Sequence, residues 1–123
     1  MPEIETVLVV DDEPFVRWFV AEALELEGFS VLVAAAAEDA LELARRHRGP
    51  IDLVLTDVCL PRIRGNELVP LLMARRPGLR ALYMSGDIRE VPIGQVQPLL
   101  EKPFTLAALG AAVRGALAEP RAA

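Results

Sequence analysis

Thr6-Val7-Leu8-Val9-Val10-Asp11-Asp12-Glu13 is the stretch that decides the fold: five residues without polar alternation, then three acids. A short, valine-rich run of this kind predicts a strand covered on both faces, as in parallel sheets. The pattern returns at Ile51 to Thr56, which ends at Asp57, and at Arg80 to Met84, which ends at Ser85. Ser30 to Ala34 is a further valine-rich run, and Leu99-Leu100 is a shorter one.

Segments of helical period separate these runs. Val16, Phe19, Val20, Ala23 and Leu24 share one face, and Gly28 stops that helix. Ala37, Ala40, Leu41 and Ala44 form a second stripe. Leu68, Leu71 and Leu72 form a third, stopped near Pro77-Gly78. Leu106, Leu109, Val113 and Leu117 form the last, with Thr105 as its N-cap. Strand alternating with helix predicts a doubly wound α/β sheet. The exception is Gly86 to Pro98, where Pro92, Gly94 and Pro98 predict a short, broken or absent fourth helix.

The chain has 123 residues, enough for one domain with a core that needs no disulfide or structural metal. Residues 1–123 are expected to form that domain, with the core over about 5–118 and a frayed tail after Leu117. Aromatics are only 5% against 53% hydrophobic residues, so the core must be built from Ala, Leu and Val. A net charge of -5 argues against nonspecific nucleic-acid binding. Arg45, Arg46, Arg48, Arg75 and Arg76 are accordingly expected to be solvated helix ends, and His47 a solvated residue beside them. The single cysteine excludes an intrachain disulfide and a cysteine zinc cluster. The acidic start is not that of a signal peptide, and no apolar run approaches the roughly 20 residues of a membrane span. A soluble, cytoplasmic domain is expected, with no membrane partner.

In an open α/β sheet, ligands bind outside the carboxyl ends of the strands. The residues that end the apolar runs are therefore the candidates: Asp11, Asp12, Asp57, Ser85, and Lys102 after the fifth strand. Three neighbouring carboxylates repel, and an all-oxygen site of this kind selects Mg²⁺ or a similar hard cation. A lysine can pair with a phosphoryl oxygen, and a serine hydroxyl can donate to another. Asp57 would then be a carboxylate nucleophile that forms an acyl phosphate.

These residues resemble the receiver domains of bacterial response regulators. The likeness is carried by Val9-Val10-Asp11-Asp12-Glu13-Pro14, by Asp57 through Leu60-Pro61 to Gly65, by Met84-Ser85-Gly86, and by Lys102-Pro103-Phe104. It implies a flavodoxin-like, five-stranded parallel sheet of order 2-1-3-4-5 with helices on both faces. It further implies that Asp57 is the phosphoacceptor, and that Asp12, Asp57 and the backbone carbonyl of Cys59 coordinate Mg²⁺. Asp11 would act through water, and Ser85 and Lys102 would read the phosphoryl group. The Lys102-Pro103 bond is expected to be cis. The flavour of Met84-Ser85-Gly86 and Glu101-Lys102-Pro103-Phe104-Thr105 is similar to receivers associated with hybrid histidine kinases.

The chain departs from that pattern in three places. Seventeen positions separate Ser85 from Lys102, fewer than the family usually has. Leu99 stands where many receivers carry Tyr or Phe, and Cys59 is too weakly polar to position a water beside the phosphoryl group.

The expected function is that of a single-domain response regulator in a phosphorelay: a switch with slow autodephosphorylation, not a turnover enzyme. The expected partners are a histidine kinase or phosphotransfer protein and an unidentified downstream protein, and a homodimer is compatible with the resemblance. One rival is an aspartyl phosphatase, although Cys59 stands where such enzymes carry a second acid. Another is a degenerate receiver acting only as an interaction module. A nucleotide-binding sheet lacks its glycine-rich loop here.

Overall fold

The computed structural model describes residues 4–87, 89, 91 and 98–119. These form β1 (Thr6–Val10), α1 (Pro14–Leu26), β2 (Ser30–Ala34), α2 (Ala37–Arg46), β3 (Leu53–Asp57), α3 (Gly65–Arg75), β4 (Arg80–Ser85), β5 (Leu99–Glu101) and α4 (Leu106–Ala118). All strand pairs are parallel, in the order β2-β1-β3-β4-β5. The expected sheet is present, with helices on both faces. The shortened helix expected over Gly86 to Pro98 falls mostly on residues 88, 90 and 92–97, which lie outside the described residues, as does most of the tail after Leu117.

Alternation along each strand divides the core in two. Leu8, Val10, Val54 and Tyr83 pack with Ala37, Ala40 and Ala44 of α2 and Leu68, Val69 and Leu72 of α3. Val7, Val9, Leu53, Leu55, Leu82 and Met84 face the other way, onto Val20 and Leu24 of α1 and Leu109, Val113 and Leu117 of α4. Each fully buried Leu or Val contributes about 1.5–3 kcal/mol by leaving water. Small alanines on α2 let that helix lie close to the sheet.

Several sequence expectations need correction. β2 is an edge strand with Ser30 and Val33 exposed, so its run of valines did not mean cover on both faces. Leu71 and Leu106 are 47% and 57% exposed and do not belong to the buried stripes of their helices. Arg76 is not a solvated helix end. Its guanidinium donates to the carbonyls of Ala44, His47 and Gly49, satisfying acceptors that α2 leaves open at its C-terminus. β3 starts at Leu53 rather than at Ile51, while Asp57 and Ser85 end β3 and β4 as expected.

Local signals account for the helix ends. The Glu13 carboxylate accepts from the amides of Phe15 and Val16, with Pro14 opening α1. Thr105 Oγ1 accepts from the Ala108 amide at 3.0 Å, the predicted cap. At the opposite edge of the sheet, Gly28 (φ 96°) and Gly78 (φ 93°) turn the chain from helix back into strand.

Candidate functional site

Strand register assembles the site. Val10 pairs with Thr56, Asp57 with Met84, and Ser85 with Glu101. The next residues along β1 and β5 are Asp11 and Lys102, so Asp11, Asp57, Ser85 and Lys102 reach one edge of the sheet together. Backbone hydrogen bonds carry the pairing past the strand ends: Asp11 N to Ala34 O, Val58 N to Met84 O, and Lys102 N to Ser85 O. The Lys102-Pro103 peptide bond is cis, as expected.

Lys102 Nζ donates to Asp11 Oδ2 at 2.8 Å and to Asp57 Oδ2 at 2.9 Å. Asp57 Oδ1 accepts from the Cys59 amide at 2.9 Å, and Asp11 Oδ1 from the Glu13 amide at 2.9 Å. Asp11 and Asp57 are buried and Asp12 is exposed. Each of the three acids offers one carboxylate oxygen, and these atoms lie within 4.8 Å of one another. Burial pushes the Asp11 carboxyl above its usual range, against the opposing pull of Lys102 and the Glu13 amide. At Lys102, burial favours the neutral amine, but the hydrogen bonds to Asp11 and Asp57 prevail and hold its pKa above the usual value. The ammonium therefore stays charged. The donor set is all oxygen, carries excess negative charge and faces solvent through Asp12, which suits a hard divalent cation such as Mg²⁺.

Ser85 ends β4 with its side chain buried, on the strand adjoining Asp57. Its hydroxyl donates to the Asp87 carbonyl at 3.0 Å and accepts from the Asp87 amide at 3.1 Å. The structure thus places Ser85 at the site edge while its hydroxyl serves a local turn. Cys59 is half-buried against the α2–α3 side of the core, with Sγ 3.7 Å from Arg64 Nη2.

Sequence reasoning missed four supporting groups. Glu13 belongs to the acidic run but spends its carboxylate on capping α1, and an acid just before a proline was the available signal. Arg17 Nη1 donates to the Asp11 carbonyl at 2.8 Å, and Thr56 Oγ1 to the Asp57 carbonyl at 3.0 Å. Arg64 reaches back over Cys59, and nothing in its spacing announces that.

Gly65 explains how α3 meets the site. A Cβ there would overlap the Asp57 carbonyl oxygen and lie 3.0 Å from Val58 Cα. The Gly65 amide donates to the Val58 carbonyl at 2.9 Å, so the helix starts directly on the strand end.

Residues 7–114 match the family model described as the response regulator receiver domain. The chain belongs to the response regulator receiver family. The sensor kinase CckA of Brucella abortus (strain 2308) is 33% identical over 114 residues, covering 89% of this receiver and 12% of that protein. The transcriptional regulatory protein FixJ of Azorhizobium caulinodans is 35% identical over 125 residues, covering 95% of this receiver and 57% of that protein. This receiver thus spans less than two thirds of the curated relatives it matches. Among solved structures, the receiver domain from the hybrid histidine kinase CckA is similar at TM-score 0.78 and 33% identity, over 91% of this receiver and 98% of that chain. The CheY-like receiver domain protein from Methanospirillum hungatei JF-1 shares the fold at TM-score 0.82 and 24% identity, over 94% of each chain.

An apolar groove of about 570 Å³ opens beside Lys102, between α1 and the turn into α4. Phe15, Val16, Phe19, Pro103 and Phe104 line it. Among the described residues, no helix is long and apolar enough to cross a membrane.

Proposed function

We propose that this receiver accepts a phosphoryl group on Asp57 from a histidine kinase or phosphotransfer protein, in a Mg²⁺-dependent reaction within a phosphorelay. The observation that carries the reading is Lys102 Nζ bonded to both Asp11 and Asp57, with Asp12 completing a tight set of acids. Asp57 would attack the phosphorus of a phosphohistidine, forming the acyl phosphate P–O bond as the P–N bond breaks. The Cys59 amide holds one Asp57 oxygen, which fixes the carboxylate plane before attack. The Lys102 ammonium offsets charge on the transferring group. Asp11, Asp12 and Asp57 would hold the cation, which supplies further charge compensation when bound. The Cys59 carbonyl is the proposed backbone ligand.

Once phosphorylated, Ser85 would exchange its bond to Asp87 for one to a phosphoryl oxygen, and that rearrangement would alter protein binding. The cycle makes this a switch with slow autodephosphorylation rather than a turnover enzyme. The cytoplasm is the compartment that suits such a partner, and an unidentified protein would read the output.

Intact mass after incubation with Mg²⁺ and acetyl phosphate tests the reading. The wild type should gain the mass of one labile phosphoryl group, and Asp57→Ala none. No gain with either protein would favour an interaction module without phosphorylation, and sustained phosphate release from many esters would favour a phosphatase.

A further inference from the structure

We propose that the open edge of β2 recognises a second copy of this chain. The copy adds its own β2 antiparallel, about a two-fold axis at Leu32, with Asp39 of each copy facing Arg46 of the other. The proposal does not depend on phosphorylation of Asp57.

The backbone of β2 fixes the pairing. The Ser30 amide donates to the Glu5 carbonyl, and the Ala34 carbonyl accepts from the Asp11 amide. Ser30, Leu32 and Ala34 therefore turn their polar groups toward β1. The N–H and C=O of Val31 and Val33 point the other way, off the sheet, where β2 has no neighbouring strand among the described residues. Reversed about Leu32, a second β2 sets Val33 opposite Val31, and such a pair exchanges both of its hydrogen bonds. The axis repeats the pair, so every outward N–H and C=O of the two valines is met. The strand also lacks the usual defences of an edge. Ser30 to Ala34 is five residues without charge or proline, and Val33 is 47% exposed. The opposite edge, β5, is only three residues long and ends on the exposed Glu101.

Charge selects the partner. A groove of about 340 Å³ opens between Val33 and α2. Asp39, Glu42, Leu43 and Arg46 line it, spaced i, i+3, i+4 and i+7, so they share one face of the helix. Asp39 lies in the first turn and Arg46 in the last, and both are exposed. Neither is in a salt bridge among the described residues. Arg46 attracts Glu42 only through space, as Asp39 does Arg62. Glu42, nearest the axis, is already offset by Arg45, which bonds it at 2.6 and 3.0 Å. The two-fold that reverses β2 also reverses α2, so the acidic end of one helix meets the basic end of the other, twice. A face complementary to its own reverse is what a two-fold interface requires. The joined strands run in opposite senses, so the two Asp57 sites open at opposite ends of the pair and neither is covered.

Sedimentation velocity over a concentration series tests this on the full chain, with thermal unfolding of every variant in parallel. Wild type should move from the 13.4 kDa monomer toward twice that mass as concentration rises. Val33→Pro removes an N–H that points off the sheet, so the fold loses no ladder bond, and Val33→Lys sets a charge on the edge. Both should stay monomeric, and Val33→Lys alone decides if the proline variant does not fold. Asp39→Arg and Arg46→Asp should each associate about tenfold more weakly, because the symmetric contacts turn from attraction to repulsion. An equimolar mixture of those two should recover association, since each then faces the opposite charge. A wild type still monomeric at about 1 mM overturns the inference and leaves the edge to a strand of another protein. A dimer that no folded Val33 variant weakens, or a mixture no tighter than its components, overturns it as well.

Discussion

Tyr83 shows how a residue of the sheet is tuned by its surroundings. It is the chain's single tyrosine, lies 5% exposed in β4, and packs toward α2 and α3. Burial raises its phenol above the ordinary 10.0. The folded state therefore holds the proton at a pH where an unfolded chain releases it. The resulting stability is complete below the unfolded value and is lost as pH rises through the raised one. Absorbance at 295 nm should show Tyr83 ionising at higher pH in the native protein than in denaturant, and coincident curves would contradict this. At the same scale, the acids and the lysine of the site were legible in the sequence because each directly ends a strand or follows it closely. Arg64 and Arg17 were not. A long, flexible side chain acts far from its own backbone, and its target depends on tertiary packing.

At the scale of elements, the contact between α3 and β3 is the sensitive joint. Gly65→Ala would drive a methyl group into the Asp57 carbonyl and against Val58, and both obstacles are backbone that cannot swing aside. A cost of about 1–3 kcal/mol is expected in urea unfolding. Phosphorylation of Asp57 should slow as well, because α3 can move off only by shifting the strand end. An unchanged unfolding midpoint would show that the joint is loose. The strands were legible because alternation was missing, but that signal could not separate the edge strand β2 from central β1. Cover on both faces is a property of neighbours, and β2 lacks one. The same limit applies to Arg76. As part of an arginine pair after a helix it reads as solvated, yet the end of α2 lies close enough to use it.

For the whole molecule, the aromatic groove beside Lys102 is where a protein donor, if Asp57 is phosphorylated as proposed, would be tested for docking. Phe15 is 67% exposed, and its ring lies 6.1 Å from that of Trp18, itself 59% exposed, at a tilt of 43°. Interface aromatics of this kind commonly contribute about 1–2 kcal/mol to binding, roughly a tenfold change in affinity. Phe15→Ser should therefore slow transfer from a phosphohistidine protein about tenfold at low concentration, while acetyl phosphate still loads Asp57 at the wild-type rate. Equal slowing with both donors would place Phe15 in the chemistry rather than in recognition. The order of the whole sheet was legible because repeating strand and helix leaves few arrangements once the family resemblance is recognised.

The two turning glycines, Gly28 and Gly78, lie on the edge of the sheet away from every acid of the site. The molecule therefore has one edge where length is constrained and one where it is not. An extra residue after Val10 or Asp57 would disturb the alignment of the whole cluster, whereas one beside Gly28 lengthens a loop that no strand end measures. Gly28 is exposed, and a Cβ there meets nothing within 4 Å. It is accordingly the place to open the chain for circular permutation, or to graft a reporter that would ride on the protein without touching its chemistry.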